Sequence, residues 1–183
     1  MIKGGKGGGN TLTGLNFEKE KDIRKLFSKT RGYSIKGYVI FYDGKEVARS
    51  YRKYSLYKFL ESEGVKHSEI LSKKLLPDEA LYVIVNNTIY ILELKFQRVT
   101  GSVDEKLQTC DFKKKQYQRL FAPLNYEVEY IYILSDWFKH PAYKDVLTYI
   151  NAVGCQYYFG YLPLQKLGLP MPKQNQVKHL SRQ

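Results

Sequence analysis

Two apolar runs separated by a pair of asparagines dominate the middle of the chain. Residues 78–85 read DEALYVIV, residues 88–96 read TIYILELKF, and Asn86-Asn87 lies between them. Nearly continuous apolar runs of this length predict two strands covered on both faces, and the two-residue turn makes them antiparallel. Ahead of them, Leu15, Ile23, Leu26 and Phe27 form a stripe that predicts a helix entered at Thr13-Gly14-Leu15-Asn16-Phe17-Glu18, with Thr11 or Thr13 as N-cap. Residues 38–42 and 46–51 predict a hairpin over Asp43-Gly44, a pair that tolerates positive φ, and 54–63 predicts a helix stopped by Gly64. Past a loop at 98–101, Ser102-Val103-Asp104-Glu105 reads as a capping box opening a helix to about Phe121. Its buried side is Val103, Leu107, Cys110, Tyr117, Leu120 and Phe121, and Pro123 ends it. A buried strand at 128–134, a helix from Pro141 to Gly154 and a last strand at 155–162 follow. This order predicts a three-layer α/β domain with a mixed central β-sheet flanked by helices. A glycine-rich basic arm (1–12) and a Pro- and Lys-rich tail (163–183) complete one domain of 183 residues.

Composition adds a partner. Thirty Lys plus Arg against eighteen Asp plus Glu give a net charge of +12, a field that draws polyanions and points to nucleic acid. Apolar residues reach 43%, which excludes a disordered chain, and the seventeen tyrosines suit half-wet surfaces. Cys110 and Cys155 have no CxxC spacing, and His67, His140 and His179 are scattered, so free thiols in a reducing compartment are expected instead of a disulfide framework or zinc site. No apolar run is long enough to span a bilayer and no signal-peptide core opens the chain, so a cytoplasmic protein without a membrane partner is expected. The glycine-rich start is no phosphate loop, because no Gly-Lys-Ser/Thr ends it and no strand precedes it.

Candidate chemistry sits in the two central strands. Glu93 and Lys95 interrupt an otherwise apolar run, where an uncompensated charge is costly and needs a partner. The period of two puts Ile91, Glu93, Lys95 and Gln97 on one face. Asp78 shares its face with Ala80 and Tyr82, whereas Glu79 turns to the other side. A tight turn brings the ends carrying Asp78 and Glu93 together, although fifteen positions separate them. Two carboxylates can hold a hard divalent cation such as Mg²⁺, and a lysine beside them suits attack of water on a phosphodiester.

These residues resemble the PD-(D/E)XK nuclease superfamily, and within it a small type II restriction endonuclease. The matching pieces are Pro77-Asp78 with Glu93-Leu94-Lys95, the segment from Thr13 to Glu18, and Gly101-Ser102-Val103-Asp104-Glu105-Lys106-Leu107, over a span from about residue 7 to residue 162. The resemblance implies that Asp78 and Glu93 ligate Mg²⁺ and that Lys95 orients or deprotonates the attacking water and offsets charge on the phosphate. It further implies that Glu18 supports the metal or the lysine and that Gln97 positions water or phosphate. Cleavage of double-stranded DNA to a 5′-phosphate and a 3′-hydroxyl follows from the same resemblance, and a palindromic target would call for a homodimer. Candidate DNA contacts are Asn10 and Thr11 in the arm, Arg98, Thr100 and Ser102 beside the site, and Lys106 and Lys113 on the helix; Lys173, Gln174, Asn175 and Lys178 belong to the tail. A Holliday-junction resolvase or repair nuclease of the same superfamily, and a non-catalytic nucleic-acid-binding module, are the alternatives.

Overall fold

The computed structural model describes residues 13–97 and 103–172. Strand β1 (Gly14–Asn16) pairs with the distant β9 (Tyr161–Pro163) in a small antiparallel ribbon. The main sheet holds seven strands in the order β2 (Tyr33–Lys36), β3 (Val39–Tyr42), β4 (Lys45–Tyr51), β5 (Glu79–Val83), β6 (Thr88–Lys95), β7 (Glu127–Leu134) and β8 (Gln156–Phe159). Neighbours from β2 to β6 run antiparallel, whereas β6, β7 and β8 run parallel. Parallel neighbours need long crossovers, and helices supply them. The first crossover carries α4 (Val103–Leu107) and α5 (Cys110–Phe121), and the second carries α6 (Lys144–Ala152). Earlier in the chain lie α1 (Ile23–Ser28), α2 (Tyr54–Ser62) and the single turn α3 (His67–Ile70).

The molecule is an α/β domain of three layers with a mixed sheet. On one face, Ala80, Ile89, Ile91, Tyr130, Tyr132 and Leu134 pack against Leu56 and Leu60 of α2, Tyr117 and Leu120 of α5, and Ile150 of α6. On the other, Leu81, Val83, Leu92, Ile131 and Ile133 meet Phe17, Ile23 and Phe27, together with Leu162, Leu164 and Leu167. Both faces of β5 and β6 are therefore covered, which is why their sequences lack a polar face. Cys110 and Cys155 are free and buried in the first layer. Among the described residues, no helix is long and apolar enough to cross a membrane.

Several sequence expectations are corrected. Residues 14–16 form a strand, not the opening of a helix; Glu18 lies in the turn after it, and α1 begins only at Ile23, capped by the Asp22 side chain accepting from the Arg24 N–H (3.0 Å). An extra strand, β2, precedes the expected hairpin. The helix expected from 102 to 121 is broken at Gln108-Thr109 into α4 and α5. Pro141–Tyr143 is a 3-10 turn before α6. The last strand is split at Gly160, whose φ of 60° takes the chain out of the main sheet into the ribbon. Residues from 163 onwards are not all tail, since Leu164, Leu167 and Leu169 are buried in the second layer.

Glu79 is buried in that second layer, on the side of β5 opposite Asp78. Its carboxylate accepts from the Ser50 hydroxyl (2.7 Å) and lies 3.7 Å from Arg52 Nε, and Arg52 in turn meets Asp22 (3.1 Å). Burial pushes its pKa up from the ordinary 4.5 to about 8, against the Ser50 bond and the charges of Arg52 and Arg24. A carboxyl that holds its proton more tightly when folded stabilises the protein below its unfolded pKa. That contribution is lost as pH rises from about 4.5 to about 8. Glu79→Gln is therefore expected to raise the free energy of urea unfolding at pH 8 by roughly 1–3 kcal/mol, with the gain shrinking towards zero near pH 5. A gain independent of pH would contradict this account.

Candidate active site

The β5–β6 register decides which side chains meet. Glu79 pairs with Leu92, and continuing that register sets Asp78 across from Glu93. The Leu94 N–H donates to Asp78 Oδ2 at 2.9 Å, which ties the residue before β5 to the end of β6. From β6, Leu92 and Leu94 turn to the second layer while Glu93 and Lys95 turn to the first, under α5. Lys95 Nζ lies 2.7 Å from Glu93 Oε2 and 3.9 Å from Asp78 Oδ2. The expected juxtaposition of two carboxylates and an ammonium is present.

Burial is graded across the cluster. The Glu93 side chain is 8% exposed, Lys95 18% and Asp78 43%, so the site opens to solvent on the Asp78 side. A buried carboxylate needs compensation, and two cations give it. Besides Lys95, Lys113 of α5 reaches to 4.0 Å from Glu93 Oε1. Its place is thus beside the cluster, not on a separate basic face of the helix. The inner wall is aromatic: Tyr117 from α5 and Tyr130 and Tyr132 from β7 are almost wholly buried. Burial first, and the nearby Glu93 charge with it, holds all three phenols well above their ordinary pKa, so they stay protonated.

Ser135, at the end of β7, holds the chain as it leaves β6. Its N–H donates to the Lys95 carbonyl (3.0 Å), and its hydroxyl oxygen donates to the Gln97 carbonyl (3.1 Å) and accepts from the Gln97 N–H (3.2 Å). Gln97 is thus anchored next to Lys95 at the open end of the strand. Glu18 lies over Gly160, where an added Cβ would come within 2.7 Å of Glu18 Cγ, and among the described residues no ion pair joins it to Asp78, Glu93 or Lys95. Lys106 is exposed on α4, and its carbonyl accepts from the Tyr132 hydroxyl (3.0 Å). Asn10, Thr11, Arg98, Thr100, Ser102 and the tail contacts at 173–178 lie outside the described residues.

Sequence reading missed Ser135 and the three tyrosines. One signal was available for the latter: Tyr130 and Tyr132 alternate within an otherwise aliphatic buried strand, where a hydroxyl requires a reason.

The donor set suits a hard cation. Asp78 gives Oδ2 to Leu94, which leaves its second oxygen, and Glu93 gives two oxygens now facing ammonium groups. Among the described residues no three His, Cys, Asp or Glu side chains gather as a group that could hold a metal ion, and Asp78 and Glu93 are two carboxylates. Mg²⁺ is commonly held by one or two carboxylates, with waters and substrate phosphate completing its octahedron. Compared with protein-family models, curated proteins and solved structures, the chain matches none.

Because Asp78 accepts a strand-end N–H, Asp78→Ala is expected to cost roughly 1–2 kcal/mol of stability in urea denaturation, and Asp78→Asn, which keeps an acceptor oxygen, less than half of that. Equal losses in the two variants would show that the hydrogen bond contributes nothing.

Proposed function

We propose that the chain is a Mg²⁺-dependent endonuclease of the PD-(D/E)XK type, cutting double-stranded DNA at a short specific sequence as a type II restriction enzyme. The convergence of Asp78, Glu93 and Lys95 at one open end of the sheet, within a chain of net charge +12, carries this reading. Asp78 and Glu93 would hold the cation. When bound, Mg²⁺ supplies a Lewis acid that lowers the pKa of water and neutralises phosphate charge.

The side chains of the chain divide the remaining work. Lys95 carries a fixed positive charge beside the carboxylates, suited to orienting the attacking water and to balancing the charge that grows on the phosphate. Lys113 stands on the other side of Glu93 and adds attraction for the backbone of the nucleic acid. Ser135 and the Asp78–Leu94 bond keep the two strand ends in place, so the charges need little rearrangement during reaction. Binding of a palindromic site would call for a two-fold dimer.

A second reading has an observation in its favour. The 2.7 Å Lys95–Glu93 pair, backed by Lys113, also describes an ion-pair cluster in a nucleic-acid-binding module without catalysis. Lys95→Ala separates the two. Its DNA binding is expected to persist in a mobility-shift assay while plasmid cleavage with Mg²⁺ falls at least ~10²-fold. Unchanged cleavage would remove Lys95 from the chemistry, and a wild-type protein that binds but never cuts would favour the module. Discrete bands from a linear or plasmid substrate indicate sequence recognition; cutting of branched DNA alone indicates a structure-specific nuclease.

A further inference from the structure

Tyr130 presents an anomaly beside the proposed cation site. It has no exposed surface, and its hydroxyl is completely buried without a hydrogen-bond partner. Such a group is rare because the water it gave up on folding is not replaced, and phenylalanine would fill the same space without that cost. The neighbouring Tyr132 does not resolve the anomaly. Its ring stands nearly perpendicular to that of Tyr130 at 5.3 Å, and its hydroxyl donates to the Lys106 carbonyl. Tyr117 closes the space from α5 at 6.4 Å between ring centroids. The parallel β6–β7 register sets Tyr130 across from Ile91 and Tyr132 across from Glu93, so the unpaired hydroxyl rises from the same sheet face as Glu93, one alternate position along the neighbouring strand from a group proposed to hold the cation. Glu93 itself is engaged by Lys95 and Lys113, and would have to loosen from them to take up a divalent ion.

We infer that Tyr130 is a positioning residue of the cation site: its hydroxyl donates to the Glu93 carboxylate once that carboxylate turns from Lys95 towards the ion. The inference rests on the cation-binding reading of Asp78 and Glu93. A phenol is suited to this role, being a donor without a charge that would compete with the ion for Glu93. Groups that orient a ligating carboxylate typically change metal affinity by 10- to 100-fold.

The test uses the full chain without DNA. Metal-free Tyr130→Phe is expected to melt about 2–4 °C above wild type, because it removes an unsatisfied buried donor. MgCl₂ titration by calorimetry and by thermal shift is expected to give a dissociation constant raised roughly tenfold. Tyr132→Phe provides the contrast: it removes a satisfied hydroxyl and is expected to melt below wild type. Lower melting of metal-free Tyr130→Phe, or an unchanged Mg²⁺ constant in that variant, would overturn the assignment while leaving the cation site intact. If Glu93→Gln responds to Mg²⁺ as wild type does, or wild type shows no response, the cation-binding reading itself falls and this role falls with it.

Discussion

A single backbone hydrogen bond decides where the chemistry-bearing side chains stand. By donating to Asp78, the Leu94 N–H extends the β5–β6 ladder by one residue, using a side chain in place of a carbonyl. With that register fixed, alternation along β6 aims Glu93 and Lys95 at the same layer as Asp78. A slip of one residue would send both to the opposite layer, among Phe17, Ile23 and Phe27, away from Asp78 and Lys113. The covered faces of both strands forbid such a slip, because it would exchange every buried side chain at once.

The same alternation separates two carboxylates that are neighbours in sequence. Asp78 is half exposed and faces Lys95, whereas Glu79 is buried beside Ser50 and Arg52. Strand alternation already separates the two in the sequence. Their environments make one a candidate ligand and the other a carboxyl kept largely protonated near neutral pH.

Legibility followed the physics of each element. The central hairpin, the Asp43-Gly44 hairpin and the α2 helix were readable because short-range patterns dictate them: buried runs, a positive-φ turn and a glycine stop. The three charged groups of the candidate site were readable for a related reason, as charge inside a buried run needs a partner. What was lost depends on long-range contacts. Leu15 fits a helical stripe with Ile23, Leu26 and Phe27 equally well, and only the distant β9 makes its segment a strand. Gly160 looks like any residue within a tyrosine-rich run until Phe17 donates to its carbonyl at 2.7 Å. Lys113 was legible as a cation but not as a neighbour of Glu93, since the tilt of α5 over β6 leaves no mark in the sequence.

The ribbon of β1 and β9 joins Gly14 to Pro163, so its two halves are synthesised far apart in time. The second layer, with Leu15 and Phe17 on one side and Leu162 and Leu164 on the other, cannot close until the segment carrying Leu162 and Leu164 has emerged from the ribosome. The nascent chain must carry an uncovered apolar sheet face until then, which makes this layer the point where assembly is slowest and chaperone assistance would matter most.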